Sequence, residues 1–255
     1  MQKNGLMMGS QPVGDEPFRF ECHPGVACFT KCCVDVDMYL YPYDIVRMKN
    51  RLGITSGEFL DKHTTSAFRD NPFFPSVMLR MAERPGKPCP FLAPQGCTIY
   101  EDRPSSCREY PLERAVGRMP YEGRCVSQYF VKRVPTCLGH QEEMEWTVQE
   151  WIANQEIGSY QEMNDLWVDV DTIFRSNPWG DAATAGNKLK MAFMACFNVD
   201  QFRRFILESS FRSRFDVAEE RVERMKTDDI KMMKFGFEWV DFFLTGRVRN
   251  RFPKK

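Results

Sequence analysis

From His140 to the end of the chain, apolar positions recur at helical spacing between polar ones. Thr147-Val-Gln-Glu150 reads as a capping box that opens a helix with Val148, Trp151 and Ile152 on one face. Ser159-Tyr-Gln-Glu162 reads as a second, opening a helix with Met163, Leu166, Trp167, Val170, Ile173 and Phe174 that stops at Asn177-Pro178. Further amphipathic segments run over 189–196, 199–208, 218–225 and 230–244; in the last, Ile230, Met233, Phe237, Val240 and Leu244 follow steps of three and four. These faces are read as core, and Cys196 with them.

The first half is patterned differently. Pro42 suits the first turn of a helix carrying Ile45, Met48 and Leu52, which Gly53 closes with a left-handed cap. Thr55-Ser-Gly-Glu58 is a capping box for a short helix with Phe59 and Leu60 on its apolar face. Between Asn71 and Tyr110, prolines and glycines break up the short β-prone runs 76–81 and 97–100, so helix is excluded over most of this interval. The pattern predicts a small irregular β-hairpin whose loop presents Cys89 and Cys97, then a turn at Arg103-Pro104 and one helical turn holding Cys107. The fold class expected is mainly α: an irregular cysteine-rich half with a small β-hairpin, supported by C-terminal amphipathic helices. Residues 1–17 read as a flexible lead-in, 18–140 as the cysteine-bearing region and 141–255 as a helical region packed on it in one compact unit.

Composition narrows the setting. At 255 residues the chain can bury a core without disulfides. Thirty-five basic residues balance 35 acidic ones, which gives no electrostatic reason to expect a nucleic-acid partner or an anionic membrane. No apolar run reaches membrane-span length, and no secretory segment follows Lys3, so a cytoplasmic location with reduced thiols is expected.

Nine of the ten cysteines lie between positions 22 and 137: Cys22, Cys28, Cys32, Cys33, Cys89, Cys97, Cys107, Cys125 and Cys137. Buried structural cysteines are normally scattered singly, so this crowding points to a metal or iron-sulfur site, a disulfide framework or redox chemistry. A reducing compartment weakens the disulfide reading. Four thiolates complete a zinc tetrahedron or ligate one cubane, so nine could furnish two four-ligand sites with one left over, or one site plus redox-active thiols. Cys32 and Cys33, adjacent on an extended backbone, would point apart and serve as ligands of two different metals, or as one ligand and one spare, rather than as two corners of a single zinc site. Cys137-Leu-Gly-His140 adds an imidazole three residues from a thiol, within reach of one ion if the segment turns. Arg103 and Arg108 flank Cys107 and could stabilise thiolates or bind an anionic ligand, but ordinary salt bridges to Glu101, Asp102 or Glu109 are the favoured expectation. Dinucleotide, phosphate-loop, zinc-protease and serine-hydrolase motifs are absent, as is the Cys-x3-Cys-x2-Cys of radical chemistry with S-adenosylmethionine.

The run Cys28-x3-Cys32-Cys33, then Cys89-Pro-Phe-Leu and Gly96-Cys97-Thr-Ile-Tyr100-Glu-Asp-Arg103-Pro-Ser-Ser-Cys107-Arg-Glu-Tyr-Pro111, resembles the YkgJ-type cysteine-cluster family, zinc- or iron-chelating proteins. Cys137-Leu-Gly-His140 followed by Trp146-Thr-Val is similar to one branch of it. The chain departs in its first pair, Cys22-x5-Cys28, where many relatives have Cys-x2-Cys. The resemblance implies chelation of zinc or an iron-sulfur cluster, with two metal sites expected and a structural, metal-handling or redox role. Its chief ligands would be Cys28, Cys32, Cys33, Cys89, Cys97 and Cys107, joined by Cys22, Cys125, Cys137 and His140. A similar group, flagellin lysine N-methylase, shares the cysteine-cluster region. It implies the alternative of an enzyme, an iron-sulfur oxidoreductase or a protein lysine N-methyltransferase using S-adenosylmethionine on a protein substrate.

Overall fold

The computed structural model describes residues 10–14, 16–118, 125–246 and 252–253. Its strands are β1 (Ser10–Val13), β2 (Phe18–Arg19), β3 (Thr64–Ala67), β4 (Ser76–Leu79), β5 (Leu92–Ala93), β6 (Gly96–Cys97), β7 (Leu112–Arg118), β8 (Cys125–Lys132) and β9 (Glu145–Trp146). Its helices are α1 (Pro42–Leu52), α2 (Ser56–His63), α3 (Ser105–Glu109), α4 (Val148–Asn154), α5 (Gly158–Arg175), α6 (Ala182–Phe197), α7 (Val199–Glu208), α8 (Phe211–Arg214), α9 (Glu219–Thr227) and α10 (Asp229–Thr245). The class is mainly α with small antiparallel strand pairs, as the pattern predicts. Among the described residues, no helix is long and apolar enough to cross a membrane.

Local chemistry explains most helix ends. Thr55 and Thr147 each accept the backbone N–H three residues on, while Glu58 and Glu150 reach back, which completes both capping boxes. Gly53, at φ 65°, closes α1. Ser159 is different: α5 starts one residue earlier, so this serine lies inside the helix rather than capping it.

The chain forms two compact units, Met1–Val36 with Met81–Gln161 and Asp37–Arg80 with Glu162–Lys255. In the first, β1, β8 and β7 make an antiparallel sheet in that order, and β2 pairs with β9. The strand β1 thus orders part of the expected lead-in, and β7–β8 is a hairpin that the hydrophobic pattern did not announce. The core of this unit is Phe18, Phe20, Leu112, Val131, Val148, Trp151 and Ile157, with Tyr110, Cys137 and Trp146 packed against it. Phe20 meets Trp151 edge to face at 5.4 Å and Tyr110 at 5.5 Å.

The second unit is helical apart from β3–β4. The run 76–81 therefore pairs with Thr64–Ala67 and not with the cysteine segment; the hairpin that presents Cys97 is instead the two-residue pair β5–β6. Around α10, Met233, Phe235, Phe237, Trp239 and Val240 are buried. At Gly236 a Cβ would lie 2.1 Å from the Ala195 carbonyl oxygen, so α6 and α10 meet backbone to backbone. Lys49 of α1, buried, pairs with Asp229 at 2.8 Å and Asp200 at 3.2 Å, and Arg203 bridges the same two carboxylates.

Candidate metal centre

The segment from Phe20 to Cys33 is held by backbone bonds and then folded by tight turns. Phe20 N–H donates to the Met144 carbonyl and Glu21 N–H to the Gly139 carbonyl, both at 3.0 Å, so Cys22 starts beside the segment that carries Cys137. Turns then follow from Val26 N–H to His23, Phe29 N–H to Val26, Lys31 N–H to Cys28 and Cys33 N–H to Thr30, with Thr30 in the left-handed region at φ 65°. The backbone at Lys31–Cys33 is a 3-10 turn and not extended, which corrects the expected divergence of Cys32 and Cys33. Their thiols interact directly: the Cys33 thiol donates to Cys32, lowering Cys32 to about 7 and pushing Cys33 up.

The later cysteines are docked onto that turn. Cys89 N–H donates to the Cys33 carbonyl at 2.7 Å, and Val34 bridges Pro88. Leu92 and Cys97 are paired across β5–β6. Pro104 then begins α3, whose N–H of Cys107 bonds the Pro104 carbonyl. Cys137 follows a turn from Val134, and Leu138 N–H donates to the Cys28 sulfur at 3.1 Å. Two more sulfurs accept backbone N–H groups two residues on, Cys89 from Phe91 and Cys97 from Ile99. These amides were not foreseen; the signal was present as Cys-x-Phe91 and Cys-x-Ile99, an apolar anchor two residues past each thiol.

Electrostatic neighbours link eight of the thiols. Cys22 is raised to about 11 by desolvation, then by Cys32, Cys28 and Cys137. Cys33 is raised by its bond to Cys32, by desolvation and then by Cys32, Cys107 and Cys89; Cys89 is raised by desolvation and by Cys97. By these neighbours Cys22 goes with Cys28, Cys32 and Cys137, a first group, and Cys33 with Cys107 and Cys89, a second group to which Cys97 is linked through Cys89; Cys32 and Cys33 touch. All nine cysteines whose side chains are described are free thiols. The Cys125 side chain lies outside the described residues, and Cys196 is buried in the other unit, pushed well up by burial.

His140 joins neither group. Its Nδ1 lies 3.3 Å from the Arg19 carbonyl and its Nε2 3.1 Å from that of Lys132, so both nitrogens are engaged with backbone. The arginines also differ from expectation. Arg103 and Arg108 are buried, and they donate mainly to carbonyl groups: Arg103 to Tyr100 O and Gln155 Oε1, Arg108 to Gln155 O at 2.5 Å and Glu101 O at 2.6 Å. Both therefore fasten the Cys107 turn to the end of α4. Tyr110, behind the first group, has a buried hydroxyl beside the Cys137 thiol; burial, then the hydrogen bond with that thiol, push its pKa up.

The donor sets suit a thiophilic metal. Each offers sulfurs, backbone N–H groups are directed at Cys28, Cys89 and Cys97, and at Cys89 and Cys97 these amides offset part of the desolvation that raises both thiols. Among the described residues, one trio of His, Cys, Asp or Glu ligand atoms lies within 4.8 Å of one another, and it is Glu21, His23 and Glu142, with no thiol in it. Comparison with known families bears on the cysteine-bearing segment as a whole. Residues 21–146 match the family model CxxCxxCC, described as a "putative zinc- or iron-chelating domain", and through this segment the chain belongs to that cysteine-cluster family. No curated protein and no solved structure matches the chain.

Proposed function

We propose that this protein is a metal-binding module with two thiolate centres, one on Cys22, Cys28, Cys32 and Cys137 and the other on Cys33, Cys89, Cys97 and Cys107. The observation that carries this reading is the partition of eight thiols into two fours that meet at adjacent residues. Bound there, a metal would close loops that have few apolar contacts of their own and would supply either structural cross-linking or electron transfer. A reducing, cytoplasmic setting would keep such thiols available to a metal. The reading as a module without turnover takes support from two surface grooves among the described residues, neither of which has a cysteine in its walls. One is lined by Met194, Gln201, Arg204, Phe205, Glu208 and Ser209, the other by Arg19, Glu21, Glu143, Met144 and Glu145.

Spacing supports one choice of metal. A zinc ion at about 2.3 Å from each sulfur would bring the four sulfurs within about 4 Å of one another. The closest trio of ligand atoms contains no thiol, so the sulfur sets are more open than that tetrahedron, which favours an iron-sulfur cluster, whose own atoms separate the ligands.

The test is elemental and sulfide analysis of anaerobically purified protein carrying pairs of Cys→Ser substitutions. Single substitutions at Cys28 or Cys89 should each remove one centre. Cys28→Ser with Cys137→Ser should remove no more than Cys28→Ser, whereas Cys28→Ser with Cys89→Ser should remove both. Wild-type protein without stoichiometric metal, or a pair that crosses the groups yet spares one centre, would overturn the reading. Binding of S-adenosylmethionine to the metal-loaded protein but not to folded Cys32→Ser protein would instead favour the methyltransferase.

A further inference from the structure

We propose that the outward face of α7 is a homodimer contact: a second copy of this chain lays its own α7 antiparallel on it, so that Arg204 of each copy meets Glu208 of the other beside Phe205 and Met194. The face belongs to the helical unit and carries none of the clustered cysteines, so it is independent of the metal centres.

The buried residues of α7 are Val199, Phe202 and Ile206. On its other side Gln201, Arg204, Phe205 and Glu208 fall at i, i+3, i+4 and i+7, which places them on one stripe. They border an open groove of about 420 Å³ with Met194 of α6 in its wall. Gln201, Arg204 and Glu208 are exposed, whereas Phe205 and Met194 are half-buried, so the groove combines apolar surface with charged groups.

Those charges are unanswered. Arg204 and Glu208 form no ion pair with one another or with another described residue, whereas Asp171 with Arg175, Asp200 with Arg203, Glu220 with Arg224 and Glu223 with Lys226 each pair along a helix. In all four of these the acid precedes the base; Arg204 and Glu208 run in the reverse order, the less favourable one. Glu208 is also the last residue of α7, whose final turn holds no basic residue, so its carboxylate faces the negative end of the helix. The face thus presents one cation and one anion, each short of a counter-charge.

A partner of one sign would answer one of these charges and repel the other. A second copy answers both. A two-fold axis crossing α7 between Arg204 and Glu208 reverses the helix and sets each charge opposite its complement, with the two Phe205 side chains meeting near the axis. One helix face is small against the roughly 1,200 Å² or more that a stable interface buries, so the dimer is a reversible one.

Sedimentation equilibrium of the purified protein in reducing buffer, across the micromolar range, tests this with Arg204→Glu and Glu208→Arg measured alone and mixed. Wild type is expected to dimerise reversibly. Each single reversal sets like charges opposite one another at both ends of the contact and should weaken self-association at least about tenfold. An equimolar mixture of the two variants sets the negative charges of one chain opposite the positive charges of the other. It should form a heterodimer about as tight as the wild-type dimer, which also shows that both variants are folded. Wild type that stays monomeric throughout would overturn the inference and leave the face to a different partner. Reversals that leave the dimer intact would overturn it too, as would single variants that dissociate but fail to pair when mixed.

Discussion

The backbone amide of Leu138 donates to the sulfur of Cys28 at 3.1 Å across 110 residues of chain. This bond, together with Glu21 N–H to the Gly139 carbonyl, sets the last cysteine of the cluster against the first ones. The group Cys22, Cys28, Cys32 and Cys137 thus depends on how closely two distant segments approach.

Gly139→Ala tests that approach. A Cβ at this position would lie 2.4 Å from the Glu21 carbonyl oxygen and 2.9 Å from the Phe20 ring, and the Glu21 backbone, tied to the Gly139 carbonyl through its N–H, has little room to yield. The variant should be about 1–3 kcal/mol less stable. It should also lose one of two metal centres, with Cys22 and Cys137 gaining reactivity toward a thiol reagent while Cys89 and Cys97 do not.

Metal removal should act on one unit. The Met81–Gln161 portion holds its cysteine loops by two-residue strand pairs and turns, and such loops need a cross-link to offset their ordering entropy. Hydrogen exchange on metal-stripped protein should show lost protection across 22–33, 89–107 and 137–141, with α6 and α10 unchanged. Unchanged protection in the cysteine segments would count against a structural role for the metal.

Acid should loosen the helical unit through Lys49. Burial alone raises Asp200 and Asp229, but Ser56 and Lys49 at the first, and Lys49 and Arg203 at the second, outweigh it, so both fall below the ordinary 3.8. A carboxylate lowered in the folded state contributes stability above pH 3.8 that is lost as pH falls through the lowered folded values. Asp229→Asn leaves Lys49 and Arg203 short of an anion and should cost about 3 kcal/mol at pH 7. Urea unfolding should show that cost shrinking below about pH 4, where the wild-type carboxylates take up protons.

Gly236→Ala addresses the α6–α10 contact. Its Cβ would sit 2.1 Å from the Ala195 carbonyl oxygen and 3.1 Å from the carbonyl carbon, so the two helices would have to separate. A loss of about 2 kcal/mol or more in urea unfolding is expected, although alanine is the better helix former. A neutral or stabilising result would mean that the helices part freely.

What the sequence determined by itself was local. The capping boxes at Thr55 and Thr147, the left-handed cap at Gly53 and the periodic faces of α7 and α10 depend on side chains within one or two turns, so they were legible without a partner. The crowding of cysteines was equally visible, and with it the family. Tertiary structure decided which thiol stands near which, because Cys22 and Cys137 are joined only by hydrogen bonds between remote segments, and Cys33 and Cys89 only by a carbonyl and an amide. It also decided the partner of 76–79, the strand at 10–13 and the engagement of His140 with two carbonyls. Strand pairing and backbone contacts across scores of residues carry no short-range signature, since the energy that selects them comes from burial and hydrogen bonding completed only when the distant segment arrives.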